Sequence, residues 1–250
     1  MKPPNIRAAA HSVLKAIHLL APVQRAAREL HTWRQNRLTD EQIKEIYRAQ
    51  YHQGANYGGI APTADWESDE VLKAQHAKAI LAVLLARKVL IGGCSSGMAV
   101  LAFRRLGIEA WGFEFSDDLE RIVLPEVKAF VRRGSMTDIP FSSADSFEIL
   151  MSTDVLEHVQ IRQMSRMMGE MRRLKVPWMV HMINHIARTP DHMTLKPLSW
   201  WEQRFLEIGY KLRRDLRTPV HSNRRIYGLC GDPDHVYTFW ERSLTANARK

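Results

Sequence analysis

Lys88-Val-Leu-Ile-Gly-Gly-Cys-Ser-Ser-Gly97 constrains the fold of this 250-residue chain more than any other stretch. An apolar run with strand character breaks into a turn of small residues, and a helix-like segment, Met98 to Leu106, follows. Strand, tight turn and helix in that order open a parallel α/β sheet. The helix's first N–H groups are left free at the strand's carboxyl end. Small residues let a ligand come close to the backbone, and a nucleoside-type ligand suits such a turn.

The rest of the chain alternates accordingly. Glu109–Phe115 is a second strand, Ala129–Arg133 a third, Phe147–Ser152 a fourth and Val176–Ile183 a fifth. Apolar spacing predicts a helix over Val155–Leu174 and another over Ser199–Ile208, before two late strands near Tyr210–Leu216 and His235–Arg242. Upstream, helices are expected from Leu38 to about Tyr51, with Thr39 or Asp40 as N-cap, and over Ser68–Arg87. The pattern predicts a doubly wound, mostly parallel seven-stranded α/β sheet with an N-terminal helical extension.

Charge divides the chain. The formal net charge is +9, and residues 1–37 hold seven basic side chains against Glu29 alone. Ala8–Trp33 is amphipathic and Pro22 should split it in two. The reading is therefore a basic amphipathic extension, 1–37, then a domain of residues 38–250 with a helical lead-in (38–87) and an α/β core (88–250). The extension is suited either to plain docking or to peripheral contact with an anionic membrane. Because the basic excess lies outside the core, nucleic acid is not the expected partner. Two cysteines and the start Met1-Lys-Pro-Pro-Asn, without a secretory pattern, predict a cytoplasmic setting.

Glu114 lies 21 positions past Gly93. A carboxylate at about that spacing can accept hydrogen bonds from both hydroxyls of a ribose. The turn lacks G-x-G-x-x-G, which disfavours a dinucleotide, and it lacks the Gly-Lys-Ser/Thr of a P-loop.

Four ordered blocks carry a resemblance. Val89–Gly97 resembles V-L-D-x-G-C-G-x-G. Gly112-Phe-Glu-Phe-Ser116 resembles G-x-D/E-x-S. Gly134–Phe141 with Ser146–Leu150 resembles G-D-A-x-x-L-P-F and S-F-D-x-V. Val155-Leu-Glu-His-Val159 matches V-L-E-H-V without change. These are motifs of the class I S-adenosylmethionine-dependent methyltransferases of the small-molecule and glycan type. Tyr47, Tyr51, Tyr57 and Gly58-Gly59 echo the family's aromatic approach segment. Ile91, Ser95 and Ser135 stand where the family has an acid, a glycine and a second carboxylate.

The resemblance implies a Rossmann-like methyltransferase fold and S-adenosyl-L-methionine as cofactor. By the same resemblance Gly93, Ser95 and Gly97 would face its methionine and ribose part, and Glu114 would bind the ribose. Phe115 would lie against adenine, Ser135 and Met136 at its rim, and Thr153 and Asp154 at the sulfonium end. The expected function is methyl transfer to a hydroxyl of a small molecule or glycan. The alternative, raised by Ile91, Ser95 and Ser135, is a non-catalytic binding or scaffold protein on the same fold. A hydroxyl acceptor gains from a base near neutral pH. His158 and His192 are the candidates, with Asp154 or Asp191 orienting the ring. The segment around His192, followed by Trp200-Trp201, resembles a glycan-type pattern, and one of the two tryptophans could stack on a sugar. His181 and His185 stand four apart, but without H-E-x-x-H and with the first in a strand they predict no metal site.

Overall fold

The first strand shows why the sheet acquires helices on both faces. In β1 (Lys88–Gly92) Val89 and Ile91 point to one face and Leu90 to the other, and all three are buried. A strand apolar on both sides is stable only between two covering layers. The structure, a computed structural model, describes residues 22–47, 66–185, 190–218 and 236–243. Residues 1–21 of the basic extension, together with Tyr51, Tyr57 and Gly58-Gly59, lie outside the described residues.

The remaining strands are β2 (Glu109–Glu114), β3 (Val131–Arg133), β4 (Ile149–Thr153), β5 (Trp178–Met182), β6 (Tyr210–Leu212) and β7 (Tyr237–Arg242). They form one sheet in the order β3-β2-β1-β4-β5-β7-β6. The first five are parallel, and β7 runs antiparallel to both β5 and β6. The expected seven-stranded, mostly parallel sheet is the one found. From β1 the chain winds outward to β2 and β3, then returns to the other side at β4. That reversal opens a crevice at the carboxyl ends of β1 and β4.

Two helices over residues 22–35 (α1) and Asp40–Tyr47 (α2) precede the sheet. α3 (Trp66–Val83) and α4 (Met98–Arg105) contribute Ala77, Ile80, Val100 and Phe103 to the layer over Val89, Ile91 and Met151. After the short α5 (Leu119–Ile122), the opposite face is covered by α6 (Met164–Leu174) and α7 (Leu198–Glu207). Met164, Met167, Met168 and Met171 are all buried there, so the methionine run of α6 is core packing. Phe205 of α7 stacks on Trp240 of β7 with ring centroids 4.1 Å apart.

One expectation is corrected. Val155–Leu174 is not a continuous helix. It holds two 3-10 turns, Leu156–His158 and Ile161–Gln163, before α6 begins at Met164. The cause is competition for carbonyls. Glu157 O accepts the N–H groups of Met193 and Thr194, both at 2.8 Å, and Val159 O accepts the Thr194 hydroxyl at 2.6 Å. Acceptors a helix would need are given to the loop after β5.

The same loop anchors the N-terminal helices. His31 Nε2 donates to His192 O at 2.9 Å, Asn36 Nδ2 to Met193 O at 2.9 Å, and Leu195 N to Thr32 Oγ1 at 3.2 Å. Gln160, fully buried, donates to Gln35 O and Leu38 O. Thr39 and Gln42 exchange hydrogen bonds as a capping box, so Thr39 caps α2 and Asp40 is released for other contacts.

Candidate active site

The turn after β1 is wound by left-handed residues, Gly93 (φ 63°), Ser95 (φ 49°) and Gly97 (φ 81°). Glu114, 2% exposed at the end of β2, holds it. One carboxylate oxygen accepts Ser95 N–H at 2.8 Å; the other accepts Phe115 N–H at 2.8 Å and Ser116 N–H at 3.0 Å. The carboxylate thus ties the loops after β1 and β2 together. Cys94 packs against Gly112, where a Cβ would come within 2.7 Å of its sulfur. Burial, with the Glu114 charge adding, pushes the Cys94 thiol well up, so it stays protonated and is no nucleophile. Ile91 sits in the core at 3% exposure.

A cavity of about 380 Å³ lies along these strand ends, within the range of small-ligand pockets. One wall is Gly93, Glu114, Phe115, Ser135, Met136 and Thr137. Phe115 is 37% exposed and belongs to the wall, not the core. Ser135 bonds the Thr137 hydroxyl at 2.9 Å, while Met136 is buried with its sulfur over Gly92. The facing wall contains Asp154, His158, Asp191 and Met193, and α2 adds Asp40, Ile43 and Lys44.

Four residues singled out from the sequence stand off this lining. Ser95 serves the turn through its N–H to Glu114. Gly97 is turned to the core, and a Cβ there would meet Val127 at 2.7 Å. Thr153 bonds Tyr237 Oη at 2.8 Å, and Tyr237 in turn bonds His76 Nδ1 at 2.9 Å. His192 is buried behind His158, their rings edge to face with centroids 4.9 Å apart.

His158 and Asp191 are brought together. His158 Nδ1 lies 2.8 Å from Asp191 O and 3.7 Å from an Asp191 carboxylate oxygen. A carbonyl only accepts, so Nδ1 carries the proton and Nε2 the lone pair. Asp154 adopts a left-handed conformation (φ 52°) at the end of β4, and its N–H donates to Met182 O. His181 is buried, with Nδ1 on Ser152 Oγ at 2.8 Å, and burial lowers its pKa to about 3. His185 Nδ1 pairs with Lys196 O at 2.8 Å. Neither faces the cavity. Trp201 is wholly buried and Trp200 packs on the core; neither lines the cavity, so of the two readings, sugar stacking or anchoring the helix, they fit the anchor.

The sequence left several residues unread. Glu157 is fully buried with its neighbours Asp154 and Asp191 nearby; burial first, then the Asp154 charge, raises its carboxyl well above the usual range. Its place in V-L-E-H-V was the available signal. Thr137, Gln163 and Arg166 also line the cavity, as do the α2 residues, which only long-range docking brings there.

The sheet order and the carboxyl-end cleft define a class: the class I methyltransferase fold. Residues 90–177 match the family model described as Methyltransferase domain. No curated protein matches the sequence. Among solved structures, the chain is similar to Burkholderia thailandensis 1,6-didemethyltoxoflavin-N1-methyltransferase with bound 1,6-didemethyltoxoflavin and S-adenosylhomocysteine. Identity is 12%, over 80% of this chain and 87% of that one, with a TM-score of 0.54. It is equally similar to magnesium protoporphyrin IX methyltransferase from Synechocystis PCC 6803 with bound SAM: 12% identity over 83% and 99% of the chains, TM-score 0.54. At these identities the likeness is one of fold.

Proposed function

We propose that the chain binds S-adenosylmethionine and transfers its methyl group to a hydroxyl of a small molecule. The observation that carries this reading is Glu114: a buried carboxylate that fixes the loops after β1 and β2 and also faces the cavity. The cavity volume and the exposed Phe115 ring suit an adenosine. Glu114 would accept hydrogen bonds from the ribose and Phe115 would cover the adenine. Ser135, Met136 and Thr137 would rim it, and Asp154 would lie toward the sulfonium, whose positive charge it favours.

S-adenosylmethionine supplies a methyl group whose C–S bond breaks toward a neutral thioether as the acceptor oxygen takes the carbon. The protein supplies alignment and a place for the acceptor's proton. That place is the corner of His158, Asp191 and His192. The Nε2 lone pair of His158, whose Nδ1–H is held by Asp191 O, would take that proton. α2, with Ile43 and Lys44 in the wall, would shield part of the cleft from water.

Titration calorimetry with S-adenosylhomocysteine tests the reading. One equivalent is expected to bind. No heat at millimolar ligand would reject it and leave the scaffold reading. We also infer that α1 rests on an anionic membrane surface. Its outer face exposes Val23, Leu30 and Trp33 beside Arg34, while no described helix is long and apolar enough to cross a membrane.

A further inference from the structure

We propose that Glu157, His158 and His192 form a site for a divalent first-row transition-metal ion, with His158 in the cleft wall and the other two buried behind it. A carboxylate oxygen of Glu157 and one ring nitrogen from each histidine lie within 4.8 Å of one another. Donors around one tetrahedral ion stand about 3.4 Å apart, so modest side-chain rotation closes the set.

Three independent features point to a cation. Glu157 Oε1 accepts Asn184 N–H at 2.9 Å, but Oε2 is buried without a hydrogen-bond partner, and Glu157 forms no ion pair among the described residues. A buried carboxylate oxygen left so is costly unless positive charge reaches it. Asp154 and Asp191 add negative charge nearby, which deepens the demand. Second, His158 gives its Nδ1 proton to a backbone carbonyl, Asp191 O. That is the outer hydrogen bond which holds metal-ligating imidazoles in the right tautomer. Third, Glu157 O accepts both Met193 N–H and Thr194 N–H, so the two loops carrying the ligands are fastened together before any ion arrives. Two imidazoles with one carboxylate favour Mn²⁺, Fe²⁺, Co²⁺ or Zn²⁺ over Mg²⁺, which prefers oxygen donors and retained water.

The chemistry deepens the methyl-transfer reading and rests on it; the ion site itself does not. An acceptor hydroxyl on the ion becomes more acidic. Its O–H bond breaks, the proton passes to the Asp154 carboxylate, the C–O bond forms and the C–S pair stays on sulfur. His158 and His192 then act as ligands, and the His158 lone pair is no longer the proton acceptor.

The test uses the full chain, stripped with a chelator and titrated with MnCl₂, CoCl₂ and MgCl₂ by calorimetry, beside a separate S-adenosylhomocysteine titration. One equivalent of Mn²⁺ or Co²⁺ should bind, with Mg²⁺ weaker. E157Q and H192N should each weaken metal binding by more than the about 10–100-fold typical of losing an outer partner. Both should bind S-adenosylhomocysteine like the wild type. Should either variant fail to fold, anomalous scattering from wild-type crystals soaked in MnCl₂ locates the ion; a peak among these three side chains supports the site. The proposal is overturned by no stoichiometric binding, by binding that ignores both substitutions, or by a peak elsewhere. S-adenosylhomocysteine binding without metal removes this site alone and leaves His158 as base. Metal binding without S-adenosylhomocysteine keeps the site and removes the methyl-transfer reading.

Discussion

The two walls of the cleft are built on opposite principles. On the wall after β1 and β2, Glu114 spends its carboxylate on three backbone N–H groups, and the turn is fixed by left-handed residues. On the wall after β4 and β5, acids and imidazoles crowd together, and Glu157 Oε2 behind it is buried without a hydrogen bond. Satisfied groups make a stiff receptor for an invariant ligand. Groups with unspent capacity are what proton transfer or metal binding uses. On the proposed function, the first wall would bind the cofactor and the second would carry the chemistry.

E114Q should give the largest effect and strikes the first wall alone. It keeps the shape but puts an amide where a charged acceptor stood. S-adenosylhomocysteine affinity by calorimetry should fall about 100-fold, about 2.7 kcal/mol, the scale of hydrogen bonds to a charged group. Metal binding at the second wall should be unchanged. If affinity holds within a factor of two, the division of labour between the walls is wrong.

Acid should weaken the second wall's side of the sheet. His181 has a folded pKa of about 3, set by burial. An unfolded histidine titrates near 6.5. Between those values the unfolded chain binds a proton that the folded chain refuses. The stability is therefore present above about pH 6.5 and lost as pH falls. From pH 6.5 to 5 the loss is about 1.6 kcal/mol. Urea unfolding at both pH values checks it, with H181Q as reference: the variant should show the shallower dependence. Parallel curves would remove the electrostatic half of the comparison.

The first wall was legible in the sequence because its logic is local. The apolar run of β1, the small-residue turn and the spacing to Glu114 all lie within a single strand–helix–strand unit. The five parallel strands were readable for the same reason: their apolar runs are bounded by turns. The second wall depends on contacts between distant segments. Apolar spacing over Val155–Leu174 reads as one helix, since no pattern shows that Met193 and Thr194 will claim the Glu157 carbonyl. Glu157 is one letter of V-L-E-H-V in the sequence, and only the folded chain shows that it is fully buried. Asp40 reads as a cap until Thr39 takes that role. Gly97 looks like a ligand-facing glycine, but its missing Cβ makes room for Val127. Trp200 and Trp201 carry a glycan-type pattern whose rings the fold turns to α7's own packing.

The smallest expected effect concerns α1, which belongs to the second wall by one face only. Thr32 and Asn36 dock on the loop after β5, while Val23, Leu30 and Trp33 point away, with exposures of 63%, 48% and 56%. On a helix these three positions fall on one side, opposite the docking face. Arg37 lies over the Trp33 ring at 4.5 Å and Arg34 is adjacent, so cationic groups border the apolar stripe. Such a face binds anionic lipid through modest apolar insertion aided by charge. Trp33→Ser should reduce co-sedimentation with phosphatidylserine-containing vesicles about tenfold, about 1.4 kcal/mol. Neutral vesicles should bind the wild type weakly, and added salt should weaken binding to the anionic ones. Thermal stability should not change, because the side chain leaves no cavity behind. Equal sedimentation of variant and wild type would show that α1 serves only to close the second wall, and that its outer stripe is an ordinary solvated surface.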